Sequence, residues 1–130
     1  MIINTPISLG ELIDKISILE IKKQKIKSKT KLKFISYELV LLKEILKKNK
    51  VENKKIKKLK IEIKKINQKL WKIEDDIRKY ENKKIFNKNF INLARSVYKF
   101  NDKRAKIKLD INKKFGSNII EIKSYQKYNS

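Results

Sequence analysis

Ile56-Lys57-Lys58-Leu59-Lys60-Ile61-Glu62-Ile63-Lys64-Lys65-Ile66-Asn67-Gln68-Lys69-Leu70-Trp71-Lys72-Ile73-Glu74-Asp75-Asp76-Ile77-Arg78-Lys79-Tyr80 is the stretch that decides the fold. Ile56, Leu59, Ile63, Ile66, Leu70, Ile73, Ile77 and Tyr80 recur at spacings of three and four. That period lines one side of an α-helix with a single apolar seam, and it holds for more than three heptads. Lysine-rich positions cover the remaining faces. The pattern predicts a helix over about 54–83, ending before Ile85-Phe86-Asn87.

The flanking sequence repeats the signal. Leu93, Val97, Phe100, Arg104, Ile107, Ile111 and Phe115 predict a fourth helix from about Lys88 to Phe115. Asn87 stands where an N-cap belongs and Gly116 just past the end. Arg104 interrupts an otherwise apolar stripe. Each of these two helices is roughly 40 Å long at 1.5 Å per residue. Joined by a short loop, they should fold back as an antiparallel hairpin.

Towards the N-terminus, residues 1–7 are uncharged, contain Pro6 and read as an extended lead-in. Ser8-Leu9-Gly10-Glu11 matches a capping box, with Ser8 as N-cap and Glu11 returning to its amide. A first helix then runs from about Leu9 to Ser28, and Lys27-Ser28-Lys29-Thr30-Lys31 is the expected break. A second helix, about Leu32 to Lys48, carries Leu32, Ile35, Leu39, Leu42 and Leu46, with Leu41 and Ile45 broadening the stripe. Both should cover the hairpin. Gly10, Gly116 and Pro6 all lie near the ends, so nothing from 11 to 115 punctuates the helices. The expectation is an all-α fold: a long hairpin, about 54–83 and 88–115, with two shorter helices alongside. All 130 residues form one domain, and the 117–130 tail docks through Ile119, Ile120, Ile122 and Tyr125.

Composition excludes several chemistries. The chain has no Cys and no His, which removes disulfides, Cys/His metal sites and thiol or imidazole catalysis. No residue pattern calls for a metal or cofactor. The longest apolar run, Leu39-Val40-Leu41-Leu42, cannot span a bilayer. No signal segment opens the chain, and a cytoplasmic location is the expectation.

The formal net charge is +22. Such a value suggests nucleic acid. However, Lys, Ile and Asn fill 68 of 130 positions, all with A/T-rich codons, so base composition inflates the lysine count. Among 36 basic residues only Arg78, Arg95 and Arg104 are arginine, and all three fall in one 27-residue stretch. Arginine should persist where its planar fork is needed. No helix-turn-helix, zinc or basic-zipper pattern is present. The aromatics sit at core spacing rather than on the lysine faces, which speaks against single-strand binding.

The scarce residues gather. Asn67, Trp71, Glu74, Arg78 and Glu81 form a line beside the seam of the third helix, with Asp75 adjoining. In an antiparallel hairpin turning near 85, residue 75 lies opposite 95. That brings Trp71, Glu74, Asp75 and Arg78 near Arg95, Tyr98, Asn101, Arg104 and Lys108. The first helix adds Glu11, Asp14, Lys15 and Glu20. Two readings follow. One is an interhelical salt-bridge network, with Arg95 and Arg104 paired to Glu74, Asp75 or Asp76. The other is a pocket for an anionic ligand, gripped by Arg and stacked on Trp71. No constellation matches a catalytic template, so a non-catalytic role is favoured over an enzyme.

The segments Leu9–Lys22, Leu70–Arg78, Ala94–Tyr98, Asn101–Ala105, and Gly116-Ser117 with Glu121–Tyr125 resemble the signatures of an uncharacterised bacterial family of small all-helical proteins. The resemblance spans nearly the whole chain. It implies a setting, because members accompany glycosyltransferase and surface-polysaccharide genes, and it implies no activity. A weaker similarity links Val97–Lys114 to chorismate mutases of the all-helical type. Three functions are therefore carried forward. One is an accessory protein with a glycosyltransferase partner, another a bundle binding a sugar nucleotide or similar anion, and the third a nonspecific nucleic-acid binder. The long seam of the third helix could also be shared across a homodimer.

Overall fold

A computed structural model describes residues 1–128 of the chain. Four helices make up the regular structure among them: α1 (Leu9–Lys25), α2 (Lys29–Lys48), α3 (Lys54–Lys83) and α4 (Lys88–Lys114). The all-α expectation holds.

Each helix start has a side-chain cap. Ser8, Ser28, Asn53 and Asn87 accept from the backbone amides of Glu11, Lys31, Ile56 and Phe90. Ser28 explains a shift in boundary. The first break falls at 26–28 instead of 27–31, because the Ser28 hydroxyl starts α2 three residues earlier than its apolar stripe suggested. The capping box at α1 is half formed. Ser8 caps, but the Glu11 carboxylate turns to Lys108 at 2.9 Å.

The hairpin forms as expected. Tyr80 packs on Phe90, Lys69 lies over Phe100, and Arg104 reaches Asn67, so residue 75 is opposite residue 95. The α3 seam is filled within the chain. Ile56, Leu59, Ile63, Leu70 and Ile73 are buried, and Ile66, Ile77 and Tyr80 half-buried. Complete burial of a side chain such as Ile56, Ile63 or Ile111 stabilises the fold by roughly 1.5–3 kcal/mol.

The two N-terminal helices do not share the covering of the hairpin. α1 packs on α3, α4 and α2, while α2 packs on α1. Burial shows why. α1 hides Leu12, Ile13, Ile16, Leu19 and Ile21 around several faces, whereas α2 buries only Ile35, Leu39 and Leu46. The apolar core joins these to Ile56, Leu59, Ile63 and Ile111. At 17 residues, α1 is roughly 25 Å long against roughly 45 Å for α3. The tip of the hairpin therefore runs beyond the core, and no residue of α4 before Lys108 is buried.

The tail docks differently from expectation. Ile119, Ile120, Ile122 and Tyr125 stay exposed. Glu121 reaches Lys108 at 3.0 Å instead, and Tyr128 meets Tyr98 edge-on at 4.8 Å between centroids. The flank of α4 available to the tail offers these polar and aromatic partners rather than an apolar stripe.

Candidate functional site

A chain of buried polar side chains runs through the α1/α3/α4 interface. Asn67 donates to Asp14 Oδ1 at 2.8 Å and to Ser17 Oγ at 3.0 Å. Lys108 Nζ donates to Glu11 at 2.9 Å, with Asp14 Oδ2 at 3.9 Å and Glu121 at 3.0 Å. Gly10 N–H donates to Asn112 Oδ1 at 2.7 Å. Among the described residues no buried side-chain polar atom lacks a partner. Burial works against the Lys108 charge. The hydrogen bonds to Glu11 and Glu121, and the charges of Glu11 and Asp14, outweigh it and hold the ammonium above its ordinary value. Glu121 is held below the ordinary carboxylate range, first by its hydrogen bond to Lys108.

Beside this chain, a groove of about 560 Å³ opens between α1, α3 and α4. Trp71, Glu74, Asp75 and Arg78 line it from α3, Asn101 and Arg104 from α4, and Ile18, Ile21 and Lys22 from α1. Asn67 belongs to both the groove and the buried chain. Arg78 pairs with Glu74 one turn away on its own helix. Arg104 is half-buried, and its contact is with Asn67 Oδ1 at 3.5 Å. No carboxylate of the described residues lies within 4 Å of its guanidinium.

The expected cluster thus divides into three parts. Trp71, Glu74, Asp75, Arg78, Asn101 and Arg104 share the groove. Glu11, Asp14 and Lys108 form the buried ion network. Arg95, Tyr98 and Lys15 belong to neither. Arg95 lies at the right depth, but it and Tyr98 are exposed on other faces of α4, and Lys15 is exposed on α1. The anticipated pairs between Arg95 or Arg104 and the acids of α3 are not among the ion pairs of the described residues. Lys22, Ser17, Asn112 and Glu121 were not anticipated. Asn112, one position off the apolar stripe of the fourth helix, carried no readable signal, and neither did Lys22, one lysine among 33.

A second cleft, about 1030 Å³, lies on the other face of the hairpin. Lys69, Lys72, Lys79, Lys83, Tyr80 and Phe100 are among its walls. The ammonium groups of Lys69 and Lys103 lie 5.5 and 4.9 Å from the centre of the Phe100 ring. An aromatic side chain therefore does stand on a lysine-rich face, against the expectation from spacing.

Residues 3–130 match the family described as Family of unknown function (DUF6165). Nothing matches among curated proteins or among solved structures.

Proposed function

Because the chain belongs to this family of unknown function, its role has to be inferred from its own groove, and we propose a helical binding or accessory module that takes a small anionic ligand between α1, α3 and α4. One observation carries this reading. Arg104 is a half-buried guanidinium with no carboxylate of the described residues within 4 Å, held by Asn67 at the edge of a groove that contains the sole indole. A fork of N–H donors in that position suits phosphate or carboxylate oxygens. Trp71 supplies a flat face for a ring. Glu74 and Asp75 accept from hydroxyl groups. The volume fits a small-molecule site. A sugar nucleotide carries all three chemistries: a diphosphate for Arg104 and Lys22, hydroxyls for the acids, and a ring for Trp71. The resemblance to a family that accompanies glycosyltransferase genes supports that class and an accessory role beside such an enzyme.

Quenching of Trp71 fluorescence by UDP-glucose tests the reading. Saturable quenching is expected, and Arg104→Ala should weaken it at least about tenfold. Arg95→Ala, which removes the same charge away from the groove, should leave it unchanged. Equal losses in both variants would reduce the effect to net charge, and absence of quenching by UDP, UDP-glucose and inorganic pyrophosphate would sink it.

Phe100 favours a second reading for the opposite cleft, as a platform for single-stranded nucleic acid with two lysines at its ring. Anisotropy of a labelled oligonucleotide should then fall steeply with log salt, and Phe100→Ala should weaken binding at fixed charge. No binding near 150 mM salt removes this reading.

A further inference from the structure

α2 turns one apolar side to α1 and leaves another open. Phe34, Tyr37, Leu41 and Ile45 recur at spacings of three, four and four, so they share a side of the helix. Ile35, Leu39 and Leu46 face the core instead. Phe34 remains 74% exposed, Tyr37 60% and Ile45 47%. The extended N-terminal segment adjoins this side. Ile2 and Ile3, also exposed, wall a groove of about 1110 Å³ together with Tyr37, Leu41 and Ile45. Joined apolar surface of this kind, flanked by lysine-rich segments, marks an interaction site.

Charge decides what covers it. Residues 22–33, which lead into Phe34, hold seven Lys and no acid, and Lys47, Lys48 and Lys50 follow Ile45. Glu38 and Glu44 are the acids of α2, and Glu38 is half-buried. A second copy would set +22 against +22, which opposes self-association through this face. An anionic lipid surface complements both features at once. Aromatic and aliphatic side chains enter the headgroup boundary while ammonium groups stay at the phosphates. No helix among the described residues is long and apolar enough to cross a membrane, so α2 would lie in the interfacial plane. We propose that α2 and the N-terminal segment dock this protein on an anionic membrane surface. Phe34, Tyr37 and Ile45 insert, and the flanking lysines sit at the headgroups.

Co-sedimentation of the full chain with vesicles tests this. One set is phosphatidylcholine, and in the other about a third of the lipid is phosphatidylglycerol. The chain should bind the anionic set and only weakly the neutral one. Lysine charge alone would also favour anionic vesicles, so the deciding variant is Phe34→Ser/Tyr37→Ser/Ile45→Ser, which keeps every lysine. With helix content unchanged by circular dichroism, it should bind at least about tenfold more weakly. At about 0.5 M salt, where screening acts within a few ångströms, the parent should retain binding that the triple variant lacks. Undiminished binding by the triple variant overturns the proposal, as does failure of the parent to bind anionic vesicles. Phe34→Trp placed in a Trp71→Phe background gives an independent readout. Its emission should move to the blue on anionic vesicles, and unmoved emission rejects insertion. A dimer in sedimentation velocity that the triple variant abolishes would assign the face to self-association instead.

Discussion

Gly10 shows how much one missing Cβ decides. A Cβ there would stand 2.5 Å from the Lys108 carbonyl oxygen and 2.9 Å from Asn112 Oδ1. The first obstacle is backbone and cannot swing aside. Gly10→Ala should therefore push α1 off α4 and cost about 2–3 kcal/mol in urea unfolding. Asn112→Ala at the same crossing leaves the Gly10 N–H unpaired and should cost about 1–3 kcal/mol. Lys108 is the second deciding residue. Removing its ammonium in Lys108→Met leaves Asp14, itself buried, without a cation. A loss of about 3 kcal/mol is expected, with part regained when Asp14→Asn is added. An additive double variant would show that the two side chains do not interact. Little of this was legible beforehand. Gly10 looked like an ordinary first-turn residue, and Lys108 was expected in the polar cluster as a ligand contact rather than as a buried ion-pair partner, because a neighbour about a hundred positions away gives each its meaning.

At the scale of the helix, the sequence was far more informative. The α3 seam, the Ser8 and Asn87 caps and the Gly116 stop were all readable, since each depends on residues a few positions apart. Gly116 takes φ +61°, the left-handed backbone that ends α4. α3 ends in the same geometry without a glycine. Lys84 holds φ 55° while its amide and that of Ile85 return to the carbonyls of Glu81 and Tyr80. Lys84→Gly should relieve that strain and raise stability by about 0.5–1 kcal/mol, seen as a higher melting temperature. The ion pair it gives up, Lys84 to Glu81, is exposed and contributes little. What the helix pattern misjudged was α2. Its stripe, Ile45 included, was wider than the surface α1 offers, and the surplus became an exposed face.

Taken whole, the molecule is a long hairpin with α1 laid on one flank and a tail strapped along α4. The strap should respond to pH. Glu121 titrates below its unfolded value, so its contribution is complete above the ordinary carboxylate range and is lost as pH falls through the lowered value. Lys108 titrates above its ordinary value, so its contribution holds below that value and is lost only as pH rises past the raised one. Glu121 is largely solvated, which keeps its contribution under about 1 kcal/mol. Glu121→Gln should therefore lower the urea midpoint slightly at neutral pH and not at all in strong acid; a difference independent of pH would exclude the ion pair as its source. By itself, the sequence determined the helices, their order and the hairpin register, because seam period, caps and helix length act over short separations. Only the tertiary structure decided that α1 is central, that Arg104 lines a groove while Arg95 faces away, and that Lys108 is buried. These outcomes depend on the rotation of each helix about its axis, and that angle is fixed by which surfaces meet across the core.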